Sequence, residues 1–413
     1  MDTAAMAVIS VENKQSDACA NGPGSPGFFD KDDQPRPGIV EAGRSGRVAM
    51  TVSLHPLCRL RQTVSQWLFI PDVDQDCLDV FLAVYYSNRM PGDPLWCLQI
   101  DASGGGKTEI LRAPRIRPDA YYLSKLTDRT LKSGYRDPKD PKKDPSLLPQ
   151  LHGKVLIVKD LSPLLSMRRE SRASIIGDLR DAYDGFSDDG YGNIGKVSYE
   201  ARFTLIAATT MAIERYDAVD EELGERFIKF RARGMENRHK VRRAIQNEGK
   251  DDAQRTDIAA AMNKFMDGLG PPIAIDVPGD IQDRLITVAD LISTARSPVA
   301  RDRNHDLCYI PRPEVGTRLG KQFRKLSLAL AHIRGKSGPD EADFRTVCRV
   351  AEDCLPPNRL LILRSIVSGG PCELPPTTAK HAREDLKTLG ILDGDLGLCQ
   401  KWKQELSDVP LFR

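Results

Sequence analysis

The chain has 413 residues, which is long enough for two or three domains and a sizeable core. It carries 60 Lys and Arg against 58 Asp and Glu, and a net charge of +2 provides no global field that draws a protein onto nucleic acid or a membrane. No apolar run reaches the roughly 18–20 residues of a spanning helix, and the first residues do not read as a secretory signal. Nine scattered cysteines without a C-x-x-C pair are typical of a reducing compartment, so we expect a cytoplasmic protein.

Two histidines lie three residues before a cysteine, and such pairs can in principle share one zinc ion. They are His55 with Cys58 and His305 with Cys308. The two pairs are far apart in the chain and have no zinc-finger spacing. We therefore expect no zinc site.

The first third of the chain changes from a polar tail to helices. Residues 1–50 are rich in Gly, Pro and charge without apolar periodicity, which predicts a disordered N-terminal tail. Apolar spacings of three and four predict a helix over 55–69. A second helix, over 76–88, is apolar on most sides and ends at the M-P-G-D-P breaker of 90–94.

Short apolar strands then alternate with amphipathic helices. The predicted strands are 95–100, 120–124, 155–158, 203–208 and 227–230, with a helix over 171–183. Such alternation indicates an α/β fold with a parallel sheet. We assign residues 51–233 to this domain, including its two N-terminal helices.

Strand signals nearly vanish after residue 233. Helices are predicted over 236–247, 255–268, 279–296, 314–334 and 339–354, which defines a helical domain at 234–356.

The tail, 357–413, reads as a winged helix with helices at 359–367 and 377–389. Its basic residues that would face DNA phosphates are Lys380, His381, Arg383 and Lys387. The alternative is a helical cap on the preceding domain with a solvated basic face.

The sharpest motif follows the first strand, where residues 101–108 read D-A-S-G-G-G-K-T. Glycines let consecutive backbone N–H groups face a phosphate, and the next helix adds its positive end. Lys107 would reach the β- and γ-phosphates, and Thr108 would ligate Mg²⁺. The pattern G-x-x-x-x-G-K-[ST] requires glycine at position 101, where this chain has Asp101. The motif predicts a nucleotide site; the alternative is a flexible turn before a helix.

A phosphate loop also needs a carboxylate at the end of a neighbouring strand to hold Mg²⁺ through water. Asp160 directly follows the apolar run 155–158 and fits this role, although Leu161 stands where many hydrolysing relatives have glutamate. The alternative for Asp160 is a helix cap or a turn residue after a strand.

Two further positions are candidate catalytic residues. Thr209 ends a strand and would orient a water against the γ-phosphate. Arg226 lies beside a turn and would reach the γ-phosphate bound by a neighbouring subunit. Their alternatives are a routine strand-end residue and a surface ion pair with Glu222 or Glu225.

Together these motifs resemble the AAA+ ATPases among the P-loop NTPases, especially ATP-binding proteins of phages, plasmids and integrated elements. The matching segments are N-R-M-P-G-D-P-L-W at 88–96, G-K-T-E at 106–109, L-x-x-K-D at 156–160, L-R-x-x-Y-D-G at 179–185 and G-E-R-F at 224–227. The segment P-E-V-G-T-R-L at 313–319 is similar to the lid helix of minichromosome-maintenance-like and chelatase-like members. The likeness covers about 55–355.

The resemblance implies an AAA+ sheet with a helical lid, binding ATP and Mg²⁺ and assembling into a ring or partial ring. It implies that Arg318 is a second sensor arginine that closes on the nucleotide. It also implies a nucleotide-binding set, which consists of Ser103, Gly104, Gly105, Gly106, Lys107, Thr108 and Glu109. The implied activity is ATP-driven remodelling of DNA or protein–DNA assemblies. The alternative is a nucleotide-gated binding module with little or no hydrolysis.

Two segments are locally basic, 112–143 and 226–243. Such patches bind nucleic-acid backbone without sequence preference, or are simply solvated faces. DNA is therefore one candidate partner.

Overall fold

The computed structural model describes residues 55–412 apart from 103, 128–129, 134–138, 140–143, 193–194, 216–225 and 303–305. The predicted disordered tail at 1–50, His305 and most of the basic 134–143 loop lie outside these residues. The described residues belong to one compact unit that begins at Ser53. The proposed domain boundaries at 233 and 356 stay predictions.

The centre of the fold is a five-stranded parallel sheet. The strands of the described chain are β1 (Trp96–Ile100), β2 (Ala120–Leu123), β3 (Val155–Val158), β4 (Phe186–Tyr191), β5 (Gly195–Glu200), β6 (Thr204–Thr209) and β7 (Phe227–Arg231). The sheet has the order β2-β3-β6-β1-β7, and each neighbouring pair is parallel. All five predicted strands are confirmed, and the α/β class with them.

Helices cover both faces of the sheet, as a parallel sheet requires. The α-helices of the described residues are α1 (Pro56–Trp67), α2 (Asp76–Ser87), α3 (Lys107–Arg112), α4 (Leu148–Leu151), α5 (Ser162–Leu165), α6 (Arg169–Asp184), α7 (Asn237–Gln246), α8 (Asp251–Gly268), α9 (Gly279–Arg296), α10 (Thr317–Ile333), α11 (Glu341–Asp353), α12 (Pro357–Ser368), α13 (Pro376–Thr388) and α14 (Gln400–Glu405). None of them is long and apolar enough to cross a membrane.

The alternation of side chains along β1 separates two hydrophobic cores. Trp96, Leu98 and Ile100 point into one core, which they share with the apolar stripe of α6. Cys97 points the other way, into a larger core with α2 and the helices that follow β7. The sheet therefore carries one layer of helices on each face.

No strand was predicted between α6 and β6. An antiparallel hairpin of β4 and β5 stands between α6 and β6. Its sequence is polar, and most of its side chains are exposed or half-buried. The hairpin is held by Lys132, whose buried ammonium lies 2.8 Å from Asp178 on α6 and 2.9 Å from Asp189 on β4. A third carboxylate, that of Asp181, lies 3.2 Å from it.

The helices predicted after residue 233 are all present, as α7 to α11. The tail packs against them through the same hydrophobic core. Arg359 on α12 donates to the carbonyls of Ala295 and Ser297, and Arg301 pairs with Asp385 on α13 at 2.9 Å. These contacts are those expected of a helical cap; the winged-helix interpretation stays a prediction.

The N-R-M-P-G-D-P lead-in before β1 ties the sheet together at the amino ends of its strands. Asn88 donates to the carbonyl of Gly153 before β3 and accepts the N–H of Thr204, the first residue of β6. Asp93 pairs with Lys321 on α10 at 3.1 Å. The motif thus fixes strand positions and lies at the sheet edge opposite the glycine loop.

Candidate functional site

The glycine loop lies at the carboxyl end of β1. Gly104 and Gly106 have φ values of 80° and 89°, in the left-handed region that favours glycine. The Asp101 N–H donates to the carbonyl of Thr209 on β6, which ties the start of the loop to the neighbouring strand. Ser103 lies outside the described residues.

Lys107 begins α3 and folds back across the loop. Its Nζ donates to the carbonyl oxygens of Asp101 at 3.1 Å and Ala102 at 3.0 Å. Burial lowers the pKa of Lys107 from its ordinary value, while the carboxylates of Asp101 and Asp160 act to raise it. The structure therefore brings Lys107 within electrostatic reach of Asp160.

The carboxylate of Asp101 lies inside the loop. Its Oδ1 accepts the N–H of Ala102 at 2.7 Å. A Cβ placed on Gly105 would stand 1.8 Å from Asp101 Oδ2, so only glycine leaves room for this side chain. The departure from the expected glycine thus puts a negative charge against the turn.

Asp160 follows β3, and β6 lies between β3 and β1. The expectation that this carboxylate ends a strand next to β1 is therefore wrong by one strand. Asp160 Oδ1 also accepts the N–H of Ser162 at 2.8 Å, a contact between residues i and i+2 that fits the turn residue given as its alternative. The buried Thr209 hydroxyl lies 3.3 Å from the Ser162 hydroxyl. Ser162, which the sequence did not single out, thus links the two candidates.

Thr108 and Glu109 occupy the first turn of α3. Thr108 is half-buried beside Lys107, whereas Glu109 accepts from Arg255 on α8 at 3.1 Å. Among the described residues no group of three or more His, Cys, Asp or Glu forms a metal site. Mg²⁺ commonly uses one or two protein ligands together with phosphates and water, and Thr108 with Asp160 fits that donor set.

The two predicted arginines meet at the opposite edge of the sheet. Arg226 precedes Phe227, which pairs with Trp96 at the start of β1, whereas the loop follows Ile100. Five residues of parallel strand separate these positions by about 16 Å. The guanidinium carbons of Arg226 and Arg318 lie 5.8 Å and 5.6 Å from the ring centroid of Tyr183. Neither arginine is therefore near the loop of its own chain.

Arg226 is held by residues that sequence reasoning had not assigned a role. It is buried, and its guanidinium lies 3.3 Å from the carboxylate of Asp184. Gln322 on α10 donates to the Arg226 carbonyl and to the Tyr183 hydroxyl. Tyr183 and Asp184 belong to the L-R-x-x-Y-D-G segment, and this motif was the signal in the sequence that could have pointed to them. The alternative partners Glu222 and Glu225 lie outside the described residues.

A cleft adjoins the loop on the α2 face of the sheet. It is lined by Phe69, Ile70, Pro71, Asp74, Cys77, Gln99, Ile100, Asp101, Gly105, Lys107, Ile110, Phe230, Ala232 and Lys240. Gln99 is 3% exposed, and neither atom of its side-chain amide has a hydrogen-bond partner among the described residues. Sequence reasoning missed this cleft.

Its residues come from four separate segments of the chain. The one local signal was a glutamine inside the apolar strand L-W-C-L-Q-I. No protein-family model matches the chain, and no curated protein matches it.

Proposed function

We propose that the chain is an AAA+-type P-loop ATPase that binds ATP at the loop after β1. The observation that carries the proposal is the geometry of Gly104 to Lys107 at the carboxyl end of a central parallel strand. Left-handed glycines curl a backbone into a concave surface that binds anions, and Lys107 lies across the same turn.

The remaining polar groups at this edge have distinct proposed roles. Lys107 would exchange its two carbonyl contacts for phosphate oxygens. Thr108 and Asp160 would hold Mg²⁺, which supplies charge neutralisation to the phosphates when it is bound. The Thr209 and Ser162 hydroxyls lie together beside Asp160 and would orient a water molecule.

Arg226 and Arg318 belong to the proposal as groups that act on a neighbouring subunit. Both lie at Tyr183 on the amino edge of the sheet, and the length of β1, about 16 Å, separates that edge from the loop of the same chain. An arginine supplied in trans neutralises transition-state charge. This placement favours trans action over closure of Arg318 on its own nucleotide, and it makes self-association a requirement for turnover.

A second function is favoured by two observations at the loop. Asp101 places a carboxylate against Gly105, and the position after Asp160 is the buried Leu161 rather than a carboxylate. The missing carboxylate would slow hydrolysis without preventing binding, and the charge of Asp101 would weaken the hold of the loop on a polyphosphate. Under this alternative, ATP sets conformation or assembly without efficient turnover.

The proposed target of the ATPase is DNA or a protein–DNA assembly. Lys380 and Lys387 on α13 are exposed, as a surface that contacts DNA phosphates requires. The Lys380 ammonium also lies 3.8 Å from a carboxylate oxygen of Glu384. Phosphate release with and without single- and double-stranded DNA tests this target. Stimulation by either form supports a DNA-directed ATPase.

The central test is Lys107→Ala. The variant should lose ATP binding by calorimetry and ATP turnover by phosphate release, because the loop loses its only lysine while the core is untouched. Lys196→Ala is the matched control, since Lys196 is an exposed hairpin lysine paired with Asp188. Wild-type affinity and turnover in Lys107→Ala would overturn the proposal. ATP binding without measurable turnover in the wild-type chain would select the nucleotide-gated alternative.

A further inference from the structure

Gln99 sits in β1 with its amide in an apolar setting. Its register partners are Ala208 on β6 and Phe230 on β7, and neither side chain can accept or donate a hydrogen bond. Both amide atoms are accordingly buried, with no hydrogen-bond partner in the part of the chain that the structure describes. An unsatisfied buried amide destabilises a fold, whereas an apolar side chain of the same size would not.

The amide lines the same cleft as the phosphate loop. Asp101, Gly105 and Lys107 form one side of this cleft, and Gln99 is among its most buried members. Half-buried Phe69 and Lys240 stand in its outer part, where the Phe69 ring stacks on His239 at 5.1 Å. One ligand can therefore contact Lys107 and Gln99 together.

We propose that Gln99 reads the base of the bound nucleotide and selects adenine through its N6 and N7 edge; this rests on the proposed function. The amide offers one donor and one acceptor side by side. Adenine presents the complementary pair on that edge, with an acceptor at N7 and a donor at N6. Guanine presents two acceptors there, so the Gln99 Oε1 would stay unpaired.

The dimensions of the cleft fit an edge-on contact. It encloses about 40 Å³, which admits the edge of a ring rather than a whole base. The rest of the base would lie outside this volume, on the side of Phe69, where an aromatic side chain suits a flat heterocycle.

The test is a panel of four ligands measured by calorimetry: ATP, GTP, 7-deaza-ATP and inorganic tripolyphosphate. The wild-type chain should bind ATP about 10- to 100-fold more tightly than GTP or 7-deaza-ATP, because each of the latter leaves an amide atom unpaired. Equal affinity for ATP and GTP would overturn the proposal. If tripolyphosphate and all three nucleotides fail to bind, the proposed phosphate site itself falls.

Gln99→Leu should reduce ATP affinity to that of GTP and leave tripolyphosphate affinity unchanged. Its ligand-free Tm should equal or exceed that of the wild type, because the variant removes two unpaired polar atoms. If Gln99 had a purely structural role, its substitution would lower the ATP affinity and the Tm together. Gln254→Leu, at another buried glutamine on α8, is the matched control and should keep the ATP preference.

Gln99→Met is a second variant of similar shape that guards against a folding failure of the leucine. Retention of the ATP preference by a folded Gln99→Leu or Gln99→Met protein contradicts the proposal. The wild-type panel stands as a test even if neither variant folds.

Discussion

The carboxylate of Asp101 lies within the turn proposed to hold a polyphosphate. It accepts the Ala102 N–H and leans on Gly105, so it helps to shape the loop while it adds a negative charge there. A like charge within a few ångströms of a phosphate opposes binding, even with the screening of a surface site. The same side chain thus orders the loop and weakens its attraction for anions.

Asp101→Gly and Asp101→Asn should therefore both bind ATP more tightly, by about 10-fold, or roughly 1.4 kcal/mol. Asparagine can keep an acceptor for the Ala102 N–H while losing the charge, whereas glycine also frees the backbone and carries an entropy cost. We expect the asparagine variant to gain at least as much as the glycine variant. Calorimetric affinities no better than wild type in either variant would show that the charge does not act on the ligand.

Among the elements, the β4–β5 hairpin depends on one buried lysine from a distant loop. The side chain of Lys132 is 4% exposed and joins the carboxylates of Asp178 and Asp181 on α6 to that of Asp189 on β4, with a further contact to the Ser187 hydroxyl at 2.7 Å. A buried cation with several partners fixes the position of elements that have little apolar surface of their own. The hairpin is therefore docked by charge.

Lys132→Met should lower the free energy of unfolding by about 2–3 kcal/mol, because it leaves the carboxylates of Asp178 and Asp189 together without their cation. Lys196→Met is the matched control on the same hairpin, where Lys196 and Asp188 form an exposed pair, and it should change little. Urea unfolding of the two variants gives the comparison. Equal stabilities would mean that the hairpin is held by something other than Lys132.

How far the sequence predicts each element depends on whether its signal is local. The strand Val155–Val158 and the helix Gly279–Arg296 were predicted to the residue, because apolar runs, stripes and end signals lie within a few positions. The hairpin was missed because its strands are polar and its anchor, Lys132, is about 50 residues upstream.

In the candidate site, too, residues with a local motif were predicted, and features that depend on the tertiary structure were not. Lys107 and Asp160 carry local motifs and were predicted. The position of β6 between β3 and β1 was not predicted, because the order of parallel strands is set by packing rather than by any local pattern. The meeting of Arg226 and Arg318 at Tyr183 likewise depends on α10 crossing to the amino edge of the sheet, which only the tertiary structure shows.

For the molecule as a whole, the proposal divides each catalytic site between two chains. Lys107→Ala and Arg226→Ala should each be inactive alone. An equimolar mixture should recover about one quarter of wild-type turnover, since that share of interfaces joins an intact loop to an intact arginine. Light scattering must show that the mixture assembles. Mixtures that assemble and stay inactive would rule out the trans role of Arg226.

Arg226 and Arg318 lie at the same Tyr183 ring, and this cluster, here called the Tyr183 platform, supplies an internal control for the experiment. Arg226→Ala mixed with Arg318→Ala should stay inactive, because one neighbour provides both arginines to a site. Recovery in that mixture would mean that the two arginines of one chain act on different nucleotide sites, as when Arg318 closes on the nucleotide of its own chain.

The separation of loop and platform at opposite edges of one sheet also bears on symmetry. A two-fold contact would form the site twice and would need one patch that spans both edges of the sheet, whereas a head-to-tail contact needs only one edge of each subunit against the opposite edge of the next. The proposed contact is therefore heterologous: each subunit repeats the last by a fixed rotation, which either closes on itself or continues without limit. An open stack always ends with one loop that no platform of a neighbour faces, so one of its sites is incomplete. Only a closed ring completes every site. Turnover per subunit would then rise with the length of the stack and reach its full value only in a closed ring.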